Sequence, residues 1–269
     1  MVKINFFKGI LFLVFFSACA NSKYSQNNIS ETPSVDQVKI LMAAYQQKAA
    51  EYRALCYQAY NIARWRLDEF IKTESSKPFA IITDIDETVL DNSPEQVHQA
   101  LKGKGYDQRE WYEWTSRAIA DTIPGALGFL KYANSKGVEI FYISNRHLLE
   151  QNSTLQNLKK FGFPNADDAH LKLMGSTSSK IPRRDSIEMT HNIIMLIGDN
   201  LNDLNGTFEK KDIAQRFQIT NDFREELGRH YIVLPNPSYG DWENALFNYK
   251  YNLSTSQKDS IFRSILRSY

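Results

Sequence analysis

The sequence predicts an α/β protein in which a parallel sheet is covered by helices on both faces. Short apolar runs recur along the chain, and segments with the 3.6-residue period of an amphipathic helix separate most of them. Strands that alternate with helices in this way form βαβ units, which build parallel sheets buried on both sides. The length of 269 residues suits one large α/β domain or two small ones.

Apolar runs predict the strands, and periodic segments predict the main helices. The strands are expected at 79–83, 138–143, 170–174, 193–197 and 231–234. The helices are expected at 38–70, 124–136 and 149–161. The long first helix could pair with a second copy, so a homodimer stays open, but its small and mixed apolar residues favour packing on the body of the domain.

The composition and charge exclude several classes of protein. Lys and Arg number 32 against 31 Asp and Glu, for a net charge of +1, whereas nucleic-acid-binding proteins usually carry a strongly basic footprint. Two cysteines cannot form a disulfide framework or a cysteine-based zinc cluster. The 5 histidines are scattered without metal-like spacing, and no Gly-x-x-x-x-Gly-Lys loop is present. A histidine phosphatase and an NTP-driven kinase are therefore disfavoured.

Residues 1–18 have the layout of a secretory signal. Lys3 and Lys8 precede a short apolar run at 10–16, which is too short to span a bilayer. Small residues then lead to Cys19, and the run FSAC at 16–19 resembles a bacterial lipobox, in which the cysteine is lipidated after cleavage. The alternative is a plain cleaved signal without a lipid.

The lipobox interpretation predicts where the protein is found. Acyl chains on Cys19 would hold a soluble domain on a membrane, with the anchor as the only membrane contact. The polar segment 19–34 is then a flexible tether. We expect the protein in a bacterial cell envelope, lipid-anchored, and the uncharged Ala20 favours the outer membrane.

Polar residues directly follow three of the predicted strands. Asp84 comes after the first run, Ser144 after the second, and Gly198 with Asp199 after the fourth. Open α/β sheets bind ligands in the crevice beyond the carboxyl ends of their strands. We therefore expect these side chains to converge on one site.

Asp84 and Asp86 suit phosphoryl transfer. They lie two residues apart, so on an extended chain both carboxylates can face one site. One carboxylate can attack phosphorus and form an acyl phosphate, and the other can protonate the leaving oxygen and later activate water. The alternative is an aspartate-rich loop that caps a helix.

Three further residues offer groups that bind phosphate. The hydroxyl of Ser144 and the chain at Asn145 can hold phosphoryl oxygens, although such a pair after a strand is often only a turn. Lys180 can offset negative charge on the nucleophile and on the transferring group. Taken singly, it would be a solvated surface charge.

Asp199 and Asp203 are predicted to hold a hard cation. Mg²⁺ prefers a few protein carboxylates together with waters and a phosphate oxygen, and it polarises phosphoryl oxygens. Gly198 would let the chain turn close to the ligand. A calcium loop of the EF-hand type is disfavoured, because its dense alternating ligands are missing.

These elements, in this order, resemble the haloacid dehalogenase (HAD) superfamily. The segments IDETVLDN at 85–92 and IGDNLND at 197–203 are similar to the paired signatures of its class C acid phosphatases, the branch of the lipoprotein 5'-nucleotidases, also called lipoprotein e. Further segments that resemble this branch lie at 111–114, 123–126 and 234–243. Leu204 and Glu95 depart from its pattern, which often has Phe and an aromatic residue there.

The resemblance implies a HAD-like (Rossmannoid) fold with a small, largely helical cap, over a domain at 35–269. It implies that Asp84 is the nucleophile and Asp86 the general acid and base. It also implies phosphate contacts from Ser144, Asn145 and Lys180.

The resemblance further implies a site for Mg²⁺. Its ligands would be Asp84, Asp199, Asp203 and the backbone carbonyl of Asp86. An aspartate two residues after the nucleophile is typical of the phosphatases and phosphomutases of the superfamily.

The segment 93–123 is too long for an ordinary connection and is therefore expected to form the cap. Aromatic residues that could stack on a nucleobase are Trp111, Trp114, Tyr239 and Trp242. The alternative is that they pack the cap against the core. Tyr239, in a Pro/Gly-rich loop after a strand end, is the strongest candidate.

The sequence as a whole predicts a lipid-anchored, Mg²⁺-dependent acid phosphatase of the 5'-nucleotidase type. Its substrate would be a small phosphomonoester, by resemblance a nucleoside monophosphate, and nucleic acid would not be a partner. Two alternatives stay open: a surface-tethered protein that captures nucleotides or haem, and a phosphotransferase that passes phosphate to an alcohol.

Overall fold

The computed structural model describes residues 35–269 of the chain. The predicted signal segment (1–18), the lipidation site Cys19 and the predicted tether (19–34) lie outside the described residues. In the described part, every helix is too short or too polar to cross a bilayer.

A five-stranded parallel sheet forms the centre of the fold, in the order β5-β4-β1-β6-β7. Its strands are β1 (Phe79–Thr83), β4 (Glu139–His147), β5 (Leu171–Met174), β6 (Asn192–Gly198) and β7 (Tyr231–Val233). Each of them overlaps a predicted strand. Every neighbouring pair in this sheet is parallel, so the predicted sheet is confirmed.

Helices and a small two-stranded sheet, β2 (Leu90–Asp91) with β3 (Asp121–Thr122), surround the central sheet. The first six helices of the described residues are α1 (Val35–Lys48), α2 (Ala50–Phe70), α3 (Ser93–Leu101), α4 (Gln108–Ser116), α5 (Ala126–Ser135) and α6 (Gln151–Phe161). Those that follow are α7 (Ile181–Glu188), α8 (Leu201–Leu204), α9 (Ile213–Asp222), α10 (Asp241–Leu246) and α11 (Thr255–Ile265).

The predicted long helix at 38–70 is two helices. At Ala49 the backbone is extended, with φ −78° and ψ 127°, and α2 starts anew after it. The buried stripe of α2 is Tyr52, Cys56, Tyr60, Ala63 and Leu67. Leu41, which lies in α1 within the predicted long helix, is 71% exposed. Only the second helix therefore packs its apolar face into the core of the sheet.

The segment at 93–123 contains α3 and α4 and returns to the body through β3. Asp107 begins α4 as its N-cap, because its carboxylate accepts a hydrogen bond of 2.9 Å from the backbone N–H of Glu110. Helix α3 packs on α1, and α4 packs on α6. The segment is thus mainly helical, and its Trp111 lines the same cavity as Asp86, which follows β1.

Register in the central sheet decides which residues meet at its edge. In β1, Thr83 pairs with Tyr142 of β4 on one side and with Ile197 of β6 on the other. The N–H of Asp84 donates to the carbonyl oxygen of Ile197 over 2.8 Å. Because the strands are parallel, the residues that follow them emerge at the same edge, above a buried core of Ile, Leu, Ala and aromatic side chains.

Candidate active site

Asp84, Lys180 and Asp203 lie in direct contact beyond the ends of β1 and β6. Lys180 is the N-cap residue of α7, and its Nζ contacts Oδ1 of Asp84 and lies 2.7 Å from Oδ1 of Asp203. All three side chains are more than nine-tenths buried. One ammonium group therefore bridges two buried carboxylates.

Asp199 joins this group from the loop after β6. Its Oδ1 accepts from the hydroxyl of Thr88 over 3.1 Å, and its Oδ2 accepts from the amide of Asn236 over 2.8 Å. Asp84, Asp199 and Asp203 each bring one carboxylate oxygen within 4.8 Å of the others. This geometry fits a site for one divalent cation with oxygen ligands.

Gly198 allows the close approach of Asp203. A Cβ atom at position 198 would lie 2.4 Å from Cβ of Asp203 and 2.6 Å from its Oδ2. Any side chain there would displace the carboxylate from the site. In α8, Oδ2 of Asp203 also accepts from the N–H of Asn200 over 3.0 Å, which fixes its rotamer.

The cluster brings together three carboxyl groups, Asp84, Asp199 and Asp203, and the single ammonium group of Lys180 does not balance their negative charge. Burial raises the pKa of Asp84 well above its usual range, against the opposing effect of Lys180. Burial and the charge of Asp203 raise the pKa of Asp199 to about 8. Carboxylates whose ionised forms are disfavoured in this way gain from a second positive charge, so the donor set fits a divalent cation.

Asp86 lies beside this cluster, and its carboxylate turns to Arg146. The guanidinium donates to Oδ1 of Asp86 from Nη2 over 2.8 Å and from Nε over 3.0 Å, and Asn92 donates to the same oxygen over 2.8 Å. The side chain of Asp86 is therefore not one of the three clustered cation ligands. A contact through its backbone carbonyl, implied by the resemblance, stays a prediction.

Ser144 and Asn145 occupy different environments. Ser144 is fully buried, and its hydroxyl donates to Oδ2 of Asp86 over 3.2 Å and accepts from the N–H of Arg146 over 3.0 Å. Asn145 lines the cavity, where its Oδ1 accepts from Nη2 of Arg183 over 2.6 Å. Asn145 is thus open to a ligand, whereas Ser144 holds Asp86.

A cavity of about 590 Å³ opens over the aspartates. The cavity wall contains Asp84, Asp86, Lys180, Asp199 and Asp203, together with aromatic residues of the segment 93–123 and of the C-terminal part of the chain. The predicted stacking residues that line it are Trp111 and Tyr239, and Tyr106 joins them. The indole N–H of Trp111 donates to Oε1 of Glu150 over 2.9 Å, which fixes the ring.

Trp114 and Trp242 do not line this cavity, in contrast to the prediction. The indole of Trp114 packs against the core and donates to Oδ1 of Asn92 over 2.8 Å. The indole N–H of Trp242 donates to the carbonyl oxygen of Tyr239 over 3.1 Å. Trp114 therefore follows the alternative of packing, whereas Trp242 is 38% exposed and holds the backbone at Tyr239.

Two charged residues of the site have no predicted role. Arg146 follows Ser144 and Asn145 in the sequence, and its side chain is 1% exposed. Glu87 is fully buried with a φ of 56°, and burial, followed by the charge of Asp86, raises its pKa to about 8. Its carboxyl group accepts from the hydroxyl of Tyr239. In the sequence, the one sign that these two residues belong to the site is that Glu87 follows Asp86 and Arg146 follows Asn145.

The fold and the site define an α/β protein of the HAD class, in which aspartates from two strand ends and a lysine from a following helix meet at one edge. The chain belongs to the HAD superfamily, subfamily IIIB (acid phosphatase), whose family pattern it matches over residues 14–242. The predicted HAD-like fold, and the enzyme class of phosphomonoester hydrolases to which this family belongs, are thereby confirmed.

Two solved structures agree with this assignment, and the chain is also similar to plant proteins. The class C acid phosphatase from Bacillus anthracis is 40% identical with a TM-score of 0.84, over 88% of this chain and 100% of that chain. Its tungstate-bound form is 39% identical with a TM-score of 0.84, over 88% and 99%. The stem 31 kDa glycoprotein of Glycine max is 28% identical over 146 residues, 52% of this chain and 57% of its own.

A second soybean protein, the stem 28 kDa glycoprotein, is 27% identical over 168 residues, 60% of this chain and 63% of its own. The chain thus spans less than two thirds of the length of these two plant relatives.

Proposed function

We propose that this protein is a Mg²⁺-dependent acid phosphatase that hydrolyses phosphomonoesters through an aspartyl phosphate on Asp84. The observation that carries the proposal is the convergence of Asp84, Asp199 and Asp203 within 4.8 Å, with Lys180 in contact with two of them. Asp84, Asp199 and Asp203 would hold the cation. When bound, Mg²⁺ supplies positive charge to the phosphoryl oxygens.

The residues of the chain divide the reaction into two steps. A carboxylate oxygen of Asp84 forms a bond to phosphorus as the bond to the leaving oxygen breaks, and Asp86 gives its proton to that oxygen. Water then attacks the aspartyl phosphate, Asp86 takes its proton, and Asp84 is released with phosphate. Lys180 keeps Asp84 oriented, and Ser144 with Arg146 keeps Asp86 in place beside it.

We propose a nucleoside monophosphate as substrate, which makes the protein a 5'-nucleotidase. The cavity of about 590 Å³ has room for a leaving group of that size, and Tyr106, Trp111 and Tyr239 offer aromatic surface to a flat base. A protein that only captures nucleotides or haem needs no nucleophile, and the contacts of Asp84 with Lys180 support catalysis instead.

The site of action is part of the proposal. We propose that Cys19 carries the lipid and that the domain stands in the bacterial cell envelope, at the outer membrane, on the tether 19–34. The support is the resemblance of residues 16–19 to a lipobox. Labelling cells with a fatty acid should mark the wild type and not the Cys19→Ala variant.

A homodimer, which the sequence leaves open, would appear as twice the chain mass in light scattering.

A turnover assay tests the catalytic proposal. With p-nitrophenyl phosphate at mildly acidic pH, the wild type should be active with Mg²⁺, inactive with EDTA, and active again when Mg²⁺ is restored. Asp84→Asn should abolish turnover, because the amide cannot attack phosphorus. Asp185→Asn, on the exposed side of α7, is the matched control and should keep full activity. Full activity of Asp84→Asn would remove the assigned nucleophile.

Product analysis separates hydrolysis from transfer. With a nucleoside monophosphate and an added nucleoside acceptor, a hydrolase releases inorganic phosphate and leaves the acceptor unchanged. A phosphorylated acceptor would show the phosphotransferase. Binding of nucleotide without release of phosphate would show the capture protein.

A further inference from the structure

Glu95, at which the chain departs from the class C pattern, lies in the wall of the cavity. It belongs to the first turn of α3 and is 7% exposed. One of its carboxylate oxygens, Oε1, accepts from the side-chain amide of Gln99 over 2.9 Å. Within the described residues no hydrogen bond reaches the other oxygen, Oε2, which is not closed off from solvent. A mostly buried carboxylate thus offers one free oxygen to a ligand.

Gln99 fixes the position of this carboxylate. The same amide nitrogen donates to Oε2 of Glu110 in α4 over 3.1 Å, so Gln99 bridges the two helices of the segment 93–123. Gln99 is only 4% exposed, and Glu110 is held in turn by the ammonium group of Lys102 over 2.7 Å. The carboxylate of Glu95 is therefore preorganised, and little side-chain ordering is needed when a ligand arrives.

The location of Glu95 corresponds to the far end of a bound nucleotide. Asn92, whose amide donates to Asp86, lies three residues earlier, so Glu95 is about 4.5 Å further along the helix from the reacting groups. Trp111 and Tyr106 line the same cavity, with ring centroids 6.2 Å apart. With the phosphate at the aspartates and the base on these rings, the glutamate is left to meet the edge of the base.

The negative charge of Glu95 is only partly compensated by its surroundings. Burial raises the pKa of its carboxyl group, and the hydrogen bond from Gln99 does not cancel that rise. The charge of Glu110 adds to the rise, while those of His98 and Lys39 act against it. An N–H group donated to Oε2 by a ligand would stabilise the ionised form. A carbonyl oxygen in the same place would meet a second acceptor and be repelled.

We propose that Glu95 selects nucleobases that present an exocyclic amino group over bases that present a carbonyl oxygen or nothing in its place. Cytosine, adenine and guanine carry such a group, and carboxylates accept from the amino group of cytosine in nucleic-acid recognition. The inference rests on the proposed 5'-nucleotidase activity and adds the residue that sets base preference. The aromatic rings stack on any flat base, so the glutamate decides which base is preferred.

Pairs of substrates that differ in the amino group test this inference. The pairs are the monophosphates of cytidine and uridine, of adenosine and inosine, and of guanosine and inosine, and the readout is the ratio of kcat/KM within each pair. The wild type should favour the amino-bearing member of at least one pair by about tenfold, because a hydrogen bond to a charged group is lost with the other member. A general change in activity cancels in such a ratio.

Glu95→Gln should bring that ratio close to one. The amide keeps the size of the side chain and can still accept from Gln99, but it can also donate to a carbonyl oxygen. Glu95→Asp, which withdraws the carboxylate by one methylene group, should lower the ratio as well and provides a second variant.

Two other glutamates serve as controls. Glu243 also lines the cavity, but within the described residues no hydrogen bond fixes its carboxylate, and Glu243→Gln should keep the wild-type ratio. Glu113 lies on α4 with its side chain 66% exposed, and Glu113→Gln should keep both the ratio and the turnover of the wild type.

Three results would overturn the inference: a wild type without preference in any pair, Glu95 variants that keep the wild-type ratio, or a preference that disappears in Glu243→Gln instead. A wild type that hydrolyses p-nitrophenyl phosphate but shows no base preference would remove the role of Glu95 and leave the proposed function standing. Calorimetry with cytidine and uridine measures the same preference as binding, so loss of catalysis and loss of selection can be told apart.

Discussion

The carboxylate of Asp86 is held by the guanidinium of Arg146, whose Nη2 and Nε lie 2.8 Å and 3.0 Å from the same oxygen. Arg146 is almost completely buried, and its remaining donor Nη1 is bonded to the hydroxyl of Thr154 over 3.1 Å. A planar, two-point contact of this kind fixes both the position and the orientation of a carboxylate. The general acid and base of the proposed reaction is therefore placed by a residue that the sequence motifs do not assign.

Arg146→Lys should slow turnover while leaving substrate binding largely intact. Lysine keeps the charge but cannot reproduce the two-point contact, so Asp86 loses its fixed orientation. We expect kcat to fall about tenfold to a hundredfold, the size of effect that a misplacement near 1 Å produces, with KM changed less. Steady-state kinetics with p-nitrophenyl phosphate measure both.

Arg117→Lys is the matched control for Arg146→Lys. Arg117 pairs with Glu113 on an exposed turn of the chain, with its side chain 57% exposed. The Arg117→Lys variant should keep the kcat and KM of the wild type. If Arg146→Lys did the same, the contact with Asp86 would have no part in the reaction.

Two substitutions at Tyr239 separate its ring from its hydroxyl. Tyr239→Ala removes aromatic surface from the cavity wall, and KM for a nucleoside monophosphate should rise by roughly tenfold, since stacking contributes about 1–3 kcal/mol per base. KM for glycerol phosphate, which has no flat group, should change little. Equal rises for both substrates would argue against stacking.

Tyr239→Phe keeps the ring and removes the bond to Glu87. The buried carboxyl group then loses a donor, which should lower the free energy of unfolding by about 1–3 kcal/mol. KM for the nucleoside monophosphate should stay close to that of the wild type. Urea unfolding gives the first quantity, and kinetics give the second.

Lys180→Met should destabilise the metal-free protein. Removal of the ammonium leaves Asp84 and Asp203 buried beside each other without a positive partner, and loss of one member of a buried pair costs about 3–5 kcal/mol. Added Mg²⁺ should restore part of the loss, because the cation supplies the missing charge. Thermal unfolding with EDTA and with Mg²⁺ measures both effects. Equal stability of variant and wild type in EDTA would contradict the role of Lys180.

The stability of the metal-free protein should fall as the pH rises from about 5 to 8. Burial raises the folded-state pKa values of Glu87 and Asp199 to about 8, above their unfolded values near 4. Between these limits the folded protein keeps protons that the unfolded chain has released, so each unit of pH costs on the order of 1 kcal/mol per group. Melting curves in EDTA across this range measure the slope.

Glu87→Gln provides the comparison for that slope. Glutamine does not titrate and can still accept from Tyr239, so the variant should lose less stability than the wild type between pH 5 and 8. Identical slopes in the two proteins would show that Glu87 stays ionised in the folded state.

Strand-end residues of the site could be predicted, and their partners could not. Apolar runs identified β1 and β6, so Asp84 and Asp199 were placed at one edge by a rule that needs only local sequence. Asp86 and Arg146 are 60 residues apart in the chain, and nothing near either residue encodes their contact. Trp114 illustrates the same limit, because an aromatic residue in a cap segment packs or stacks according to which side of its helix meets the core.

The helix break at Ala49 also depends on tertiary contacts, as do the contacts of His170 and His191 with the carboxylate of Glu139. Ala49 is a residue that favours helix, so the sequence gives no sign of the break. The chain turns there because α2, and not α1, packs against the central sheet. His170 and His191 lie far from Glu139 in the sequence, and each precedes a strand, β5 or β6, whose place in the sheet brings its ring to that carboxylate.

The amino-acid sequence by itself determined the class of fold, the strands and the acids that follow their ends, because hydrophobic period and strand termini are encoded within a few neighbouring residues. Lys180 was indicated only by its place in the series of motifs that resembles the HAD superfamily. Only the tertiary structure decided which side chains hold those acids, which aromatic residues face the cavity and which histidines share a carboxylate. Such contacts join residues far apart in the chain, and the strand order β5-β4-β1-β6-β7 and its register bring them together.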